Sequence, residues 1–290
     1  MAHQPNLERE LCSKLLSDSE GHRAAESKHE PNPTHQGEEH RSGIPKANSP
    51  KMEFHFLTLF PELFSGVIHS SLLQKAQNKG LVAFHLTQIR DFAKDKHRTT
   101  DDTPYGGGEG MILKADVLYE AWRSVMPDQS LSPSVDRQKT ATVLLSPQGE
   151  VFSQSLAKEL AGFSKLVLVC GHYEGVDERF IDLCVDREIS IGNYVLTGGE
   201  LPALVVADAV TRLVPGVLGN DRSLTEESLE NGLLKYPQYT RPRVFQGQVV
   251  PDVLLSGDHQ AIAQWRQQCR EQRTRLKRPD LKQALKVFQQ

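Results

Sequence analysis

Cysteine is scarce in this 290-residue chain: Cys12, Cys170, Cys184 and Cys269, with no Cys-x-x-Cys pair among them. That spacing argues against a zinc ribbon or a disulfide framework, and reduced thiols in a cytoplasmic protein are expected instead. No apolar run approaches the roughly 18 residues of a membrane span, and the first residues lack the apolar core of a secretory signal. The net charge of −3 gives no overall footprint for nucleic acid, so any such signal must be local. Also missing is a phosphate loop: Gly-x-x-x-x-Gly-Lys-Ser/Thr does not occur, nor does Gly-x-Gly-x-x-Gly open a helix behind the first strand. Residues 1–51 contain no Phe, Tyr or Trp, and their eight acids nearly cancel seven Lys and Arg. Such a segment cannot bury enough surface to offset its ordering entropy, and it is expected to be disordered. Its five histidines (3, 22, 29, 35 and 40) lack regular spacing, and no metal site is expected there.

What is present begins abruptly at Met52. Phe54 and Phe56 alternate with Glu53 and His55, a strand pattern. An amphipathic helix is expected from Pro61 to about Ala76, then a strand at Val82–Leu86 and a polar, glycine-bearing loop over 87–111. Val117, Leu118, Ala121, Trp122 and Val125 recur at helical spacing. Strands at 141–145, 165–170 and 187–191 then alternate with helices at 153–162, 176–184 and 200–214. Alternation of this kind, with continuously apolar strands, predicts a doubly wound α/β domain whose parallel sheet is covered on both faces. The expected organisation is an extension at 1–51, the α/β domain at 52–218, a linker at 219–228 and a small helical domain at 229–290. Asp258 is the expected N-cap of a helix over Ala261–Arg275. Between Arg266 and Lys286 stand eight Lys or Arg against Glu271 and Asp280. This run is either a solvated helix face or a phosphate-contacting surface.

Three strands end in glycine-bearing loops: Val143–Gly149, Gly171–Arg179 and Ile191–Gly199. Each alone reads as an ordinary turn. Together they read as one ligand site at the strand ends of a parallel sheet, where bare backbone can approach a flat heteroaromatic ring. Gly106-Gly-Gly-Glu109-Gly110 is a poor phosphate cradle, because Glu109 would repel the anion and no lysine follows. An adenine ligand without phosphate fits better.

Five words stand in a telling order: Tyr105-Gly-Gly-Gly-Glu-Gly-Met111, Ser146-Pro-Gln-Gly149, Gly171-His-Tyr-Glu-Gly-Val-Asp-Glu-Arg179, Ile191-Gly-Asn-Tyr-Val-Leu-Thr-Gly-Gly-Glu-Leu-Pro202 and Tyr239-Thr-Arg-Pro242. In this order, from about Met52 to the C-terminus, the chain resembles the bacterial tRNA (guanine-N1-)-methyltransferases, the TrmD type of the SPOUT class. The resemblance implies methylation of nitrogen 1 of guanosine 37 in the tRNA anticodon loop, an obligate homodimer with shared active sites, and a C-terminal domain that grips the anticodon stem. It also implies a deep trefoil knot through 141–149, 166–175 and 187–202. Alternation alone would not predict that, since chains that thread their own loops are essentially absent. S-adenosylmethionine is the implied methyl donor and Mg2+ a candidate accompanying ion. Leu145, Ser146, Pro147, Gly171, Tyr173, Ile191, Gly192, Asn193, Tyr194, Val195, Leu196, Gly198 and Gly199 are its implied contacts, with Glu174 facing the donor's charged end.

Methylating this nitrogen requires a base for its proton and a cation for charge gathering on oxygen 6. The family's arginine aligns with Arg212. Its linker aspartate aligns with Glu227, within Thr225-Glu-Glu-Ser228, a departure that lengthens the side chain by one methylene. Glu226 is the nearest substitute. Asp101 matches the residue facing the guanosine before the target, and Gly110 and Arg98 are further implied RNA contacts. Two other functions remain open at this point. One is a non-catalytic RNA-binding relative that retains the cofactor pocket, and the other is a SPOUT methyltransferase acting on another RNA.

Overall fold

The computed structural model describes residues 49–126, 139–219, 228–229 and 232–281. Glu226 and Glu227, nearly all of the extension and most of the expected linker therefore lie outside the described residues. The chain divides into two compact units, Pro45–Arg222 and one containing Ser223–Gln290.

The first unit is built on β1 (Met52–Thr58), β2 (Val82–Gln88), β5 (Thr140–Val151), β6 (Lys165–Cys170) and β7 (Arg187–Ser190). They form a five-stranded sheet in the order β2-β1-β6-β5-β7, every neighbour parallel. Two further strands, β3 (Asp101–Asp102) and β4 (Ile112–Leu113), pair antiparallel outside it. Because successive strand side chains point to opposite faces, Phe54, Phe56, Val143, Leu166 and Leu168 enter one core, and Leu57, Leu144, Val167 and Val169 enter the other.

The first core is closed by α1 (Glu62–Ile68), α2 (Ser71–Asn78), α4 (Gln154–Leu160) and α6 (Glu200–Thr211). The second is closed by α3 (Ala115–Val125) and α5 (Glu178–Cys184). In α3 the buried side is Val117, Leu118, Ala121 and Trp122, the 3.6-residue stripe its sequence carries. The Trp122 indole donates to Thr142 Oγ1 at 2.9 Å, so neither buried polar group is left without a partner. Leu168 is fully buried in the first core, and its truncation to Ala would cost about 2–5 kcal/mol.

The single helix expected over residues 61–76 is two helices. Ser70 is extended, at φ −128° and ψ 158°, and its hydroxyl donates to the Val67 carbonyl at 2.9 Å. A serine that bonds the preceding turn in this way competes with helix continuation. The long loop over 87–111 likewise contains local structure, a 3-10 turn at Ile89–Phe92 and β3.

In the second unit the expectation of helix past Leu229 is met only from His259. Before it run the hairpin β8 (Val244–Phe245) and β9 (Gln248–Val249) and a 3-10 turn at Asp252–Leu255. α7 (His259–Lys277) is capped by Asp258, whose carboxylate accepts from the backbone N–H groups of Gln260 and Ala261. Its buried side is Trp265, Cys269 and Thr274, and Arg266 lies over the Tyr236 ring at 4.6 Å.

Candidate functional site

A cleft of about 340 Å³ opens at the C-terminal ends of β5, β6 and β7, within the range of small-molecule sites. Strand β5 shapes its first wall. Leu145 and Glu150 both pair with Ile189, so residues 146–149 leave the ladder as a bulge above the cleft. The loop after β6 makes the second wall and the loop before α6 the third.

Of the residues implied as methyl-donor contacts, the cleft is lined by Leu145, Ser146 and Pro147 from the first wall and by Gly171, Tyr173 and Glu174 from the second. Ile191, Gly192, Tyr194, Val195, Leu196, Gly198 and Gly199 come from the third. Asn193 is not among the lining residues, whereas Gln148, His172 and Thr197 are. The charged residues that line the cleft are Glu174, Glu178 and Glu188, with no Lys or Arg among the described lining residues. A lining of this charge disfavours phosphate and favours a cationic ligand.

The glycine-rich segment is tied to the second wall. Glu174 N–H donates to the Met111 carbonyl at 3.0 Å, and Leu113 N–H to the Gly175 carbonyl at 3.0 Å. Gly110 is at φ +87°, and a Cβ there would stand 2.8 Å from Glu174 Oε1, so only glycine allows this approach. Asp101 lies on β3, paired with Leu113. Gly110 thus meets the cleft wall directly, and Asp101 is joined to it through β4. Arg98 bonds Asp91 at 3.1 Å in an exposed pair, of the kind worth little to stability. Tyr173 is held at φ +59°, an unusual backbone for an aromatic residue.

Arg212 is not among the residues that line the cleft of its own chain. It is the C-cap of the twelve-residue α6, whose other end borders the cleft, and twelve residues of helix span about 18 Å.

One residue to which the sequence reading gave no role, Glu200, lies behind the cleft. Glu200, only 2% exposed, meets His172 Nε2 at 2.7 Å and accepts from Thr58 Oγ1 at 2.7 Å. Burial and then the Glu200 charge push the Cys170 thiol well above its ordinary range, so this thiol stays protonated and inert. At the opposite edge of the sheet, Glu53, His55 and His85 bring possible ligand atoms within 4.8 Å of one another. The two rings stack at 4.4 Å with planes 22° apart, and Lys165 stands 4.0 Å from Glu53. Near-parallel rings do not converge their lone pairs on one ion, so in this arrangement the group is a packed stack.

Fold and cleft together define an α/β protein with a cleft lined by acidic rather than basic side chains at the strand ends of a parallel sheet. Residues 52–284 match the tRNA (Guanine-1)-methyltransferase TrmD family, and the chain belongs to it. It is 54% identical over 230 residues to the tRNA (guanine-N(1)-)-methyltransferase of Chloroflexus aggregans, covering 79% of this chain and 87% of that protein. The enzyme of the same name from Geobacillus kaustophilus is 53% identical over 230 residues, 79% of this chain and 91% of its own. That of Dictyoglomus turgidum is 51% identical over 234 residues, 81% and 91% of the two chains.

Proposed function

We propose that this protein is a tRNA (guanine-N1)-methyltransferase that uses S-adenosylmethionine to methylate guanosine 37 of the anticodon loop. The observation that carries the reading is the cleft itself: three strand-end loops, bare backbone at the glycines, and acidic rather than basic charge in its lining. This lining suits adenosine attached to a cationic sulfonium and ammonium, and it does not suit a nucleoside phosphate. Family membership points the same way.

When bound, the donor supplies an electrophilic methyl group, and the protein's task is alignment and proton removal. In this reading Leu145, Pro147, Gly171 and the Ile191–Leu196 backbone hold the adenosine, while Glu174 faces the donor's cationic end. Glu227 accepts the proton from nitrogen 1, and Arg212 stabilises charge on oxygen 6. Asp101 accepts from the Watson–Crick edge of guanosine 36, and Gly110 and Arg98 approach the RNA beside it. Such readout requires unstacked, single-stranded bases, and the target must leave its stack to reach the methyl. The basic side of α7 contacts the anticodon-stem phosphates.

The working form in this reading is a knotted homodimer. Leu63 and Val67 of α1 and Leu201 and Val205 of α6 are exposed on two helices that pack together. Leu63 is 51% and Leu201 58% exposed, an apolar surface that a second copy would cover. A second copy also resolves the separation of Arg212 from the cleft of its own chain. No described helix is long and apolar enough to cross a membrane, and the free cysteines 170, 184 and 269 suit a cytoplasmic setting.

The test uses labelled S-adenosylmethionine and tRNA transcripts with or without guanosines 36 and 37, in the presence and absence of Mg2+. Transfer that needs both guanosines is expected. Donor binding without transfer to any transcript would reject the enzymatic reading and leave an RNA-binding relative.

A further inference from the structure

Glu200 does not line the cleft, yet it is built into the structure that holds two of the three walls. It opens α6, where the helix dipole favours a negative charge. Its two oxygens are divided between partners far apart in sequence. Oε2 meets His172 Nε2, 28 residues away, and Oε1 accepts from Thr58 Oγ1, 142 residues away. Thr58 Oγ1 accepts in turn from the Phe60 N–H at 2.9 Å, and the Phe60 ring packs on His172 at 5.0 Å. A carboxylate so deeply buried would be costly without these partners.

Around the carboxylate the backbone fits closely. Gly199 N–H donates to the Gly171 carbonyl at 2.9 Å. A Cβ on Gly199 would stand 2.7 Å from Cys170 Cα, and one on Gly198 would overlap the His172 ring. The loops after β6 and before α6 are thus joined twice, once by backbone and once by the Glu200–His172 bond. Directly after His172 comes Tyr173 in its left-handed conformation, a backbone state that persists only where its surroundings hold it.

We propose that Glu200 is a positioning residue for the methyl-donor site, acting through His172 and Thr58 to set the spacing between the 171–175 and 191–199 walls. The inference rests on reading the cleft as the S-adenosylmethionine site. Removing the carboxylate frees His172 and lets the Tyr173–Glu174 segment drift, so that part of the donor's binding energy goes into re-ordering that wall. Because Glu200 is buried and stands outside the lining of the cleft, the loss falls on donor binding.

The experiment compares full-length wild type, Glu200→Gln, Glu200→Ala and Thr58→Val by calorimetric titration with S-adenosylmethionine and by steady-state kinetics. Glutamine can still bridge both partners if His172 exchanges its ring proton between nitrogens; alanine can bridge neither. For Glu200→Ala the donor Kd and KM should rise at least ~10-fold, with the tRNA KM and the kcat at saturating donor within ~3-fold of wild type. Glu200→Gln should recover to within ~3-fold of wild type, and Thr58→Val should weaken donor binding in the same direction as alanine. Thr58→Val decides the matter if Glu200→Ala fails to fold. Unchanged donor affinity in either Glu200→Ala or Thr58→Val would overturn the inference alone, as would an equal loss in Glu200→Gln and Glu200→Ala. Failure of the wild-type protein to bind the donor would overturn the reading of the cleft and this inference with it.

Discussion

Glu200 and Arg212 stand at opposite ends of α6, one bordering the cleft and the other a full helix away, about 18 Å along its axis. In the homodimer reading, the Arg212 that acts on a guanine and the cleft that holds its methyl donor belong to different chains. A pair of defective proteins then complements. Arg212→Ala removes the cation, and Gly199→Val drives a side chain into the Cys170 backbone. Each should be inactive alone. Refolded together, half the dimers are mixed and each mixed dimer has one intact site, so activity should return to about a quarter of wild type. No recovery, with mixed dimers demonstrated by mass, would assign Arg212 to its own chain's cleft.

The base is tested at Glu227. Glu227→Gln should nearly abolish transfer while leaving S-adenosylmethionine and tRNA affinity close to wild type, because the amide cannot accept a proton. Glu227→Asp should retain most activity or raise it, and Glu226→Gln should matter much less. A fully active Glu227→Gln protein, measured by single-turnover transfer, would move the base elsewhere.

The exposed apolar side of α6 gives a separate prediction. Val205 is exposed in the single chain, so Val205→Glu should leave its helix content unchanged. At a dimer interface the buried charge would instead be unpaired and costly. Light scattering should show a shift from dimer to monomer at micromolar concentration. A Val205→Glu protein that remained dimeric would exclude this face.

His55 carries a pH dependence of stability. Burial, the largest effect, together with the His85 and Lys165 charges, lowers its pKa from the ordinary 6.5, against an opposing bond to Glu53. Between the lowered value and 6.5 the unfolded chain binds more protons than the folded one, so stability falls as pH drops below 6.5. His55→Phe keeps the stack on His85 without the titration. Its melting temperature should fall less than that of wild type between about pH 7.5 and about pH 5.5. Identical slopes in the two proteins would refute the assignment.

β1 and α3 were legible because local burial dictates their periodicity, alternate residues on a strand and every third or fourth on a helix, and β6 was legible as a continuous apolar run buried on both faces. The Asp258 cap was legible for the same local reason. The division of the helix over residues 61–76 was not, because Ser70 reads equally well as an exposed helical residue until its hydroxyl is seen on Val67. The glycine words marked the three cleft walls because close backbone approach leaves a residue-type signature even without coordinates.

Relations between segments had no such signature. Nothing in Gly-His-Tyr-Glu or Gly-Gly-Glu-Leu-Pro announces that His172 and Glu200 share a hydrogen bond, or that Thr58 supplies a second partner to the same carboxylate. The amino-acid sequence by itself determined which residues are apolar, which turns need glycine and where acidic and basic groups occur along the chain. Tertiary structure alone decided which buried polar groups meet, because a carboxylate is held in the interior only by partners that folding brings from elsewhere in the chain.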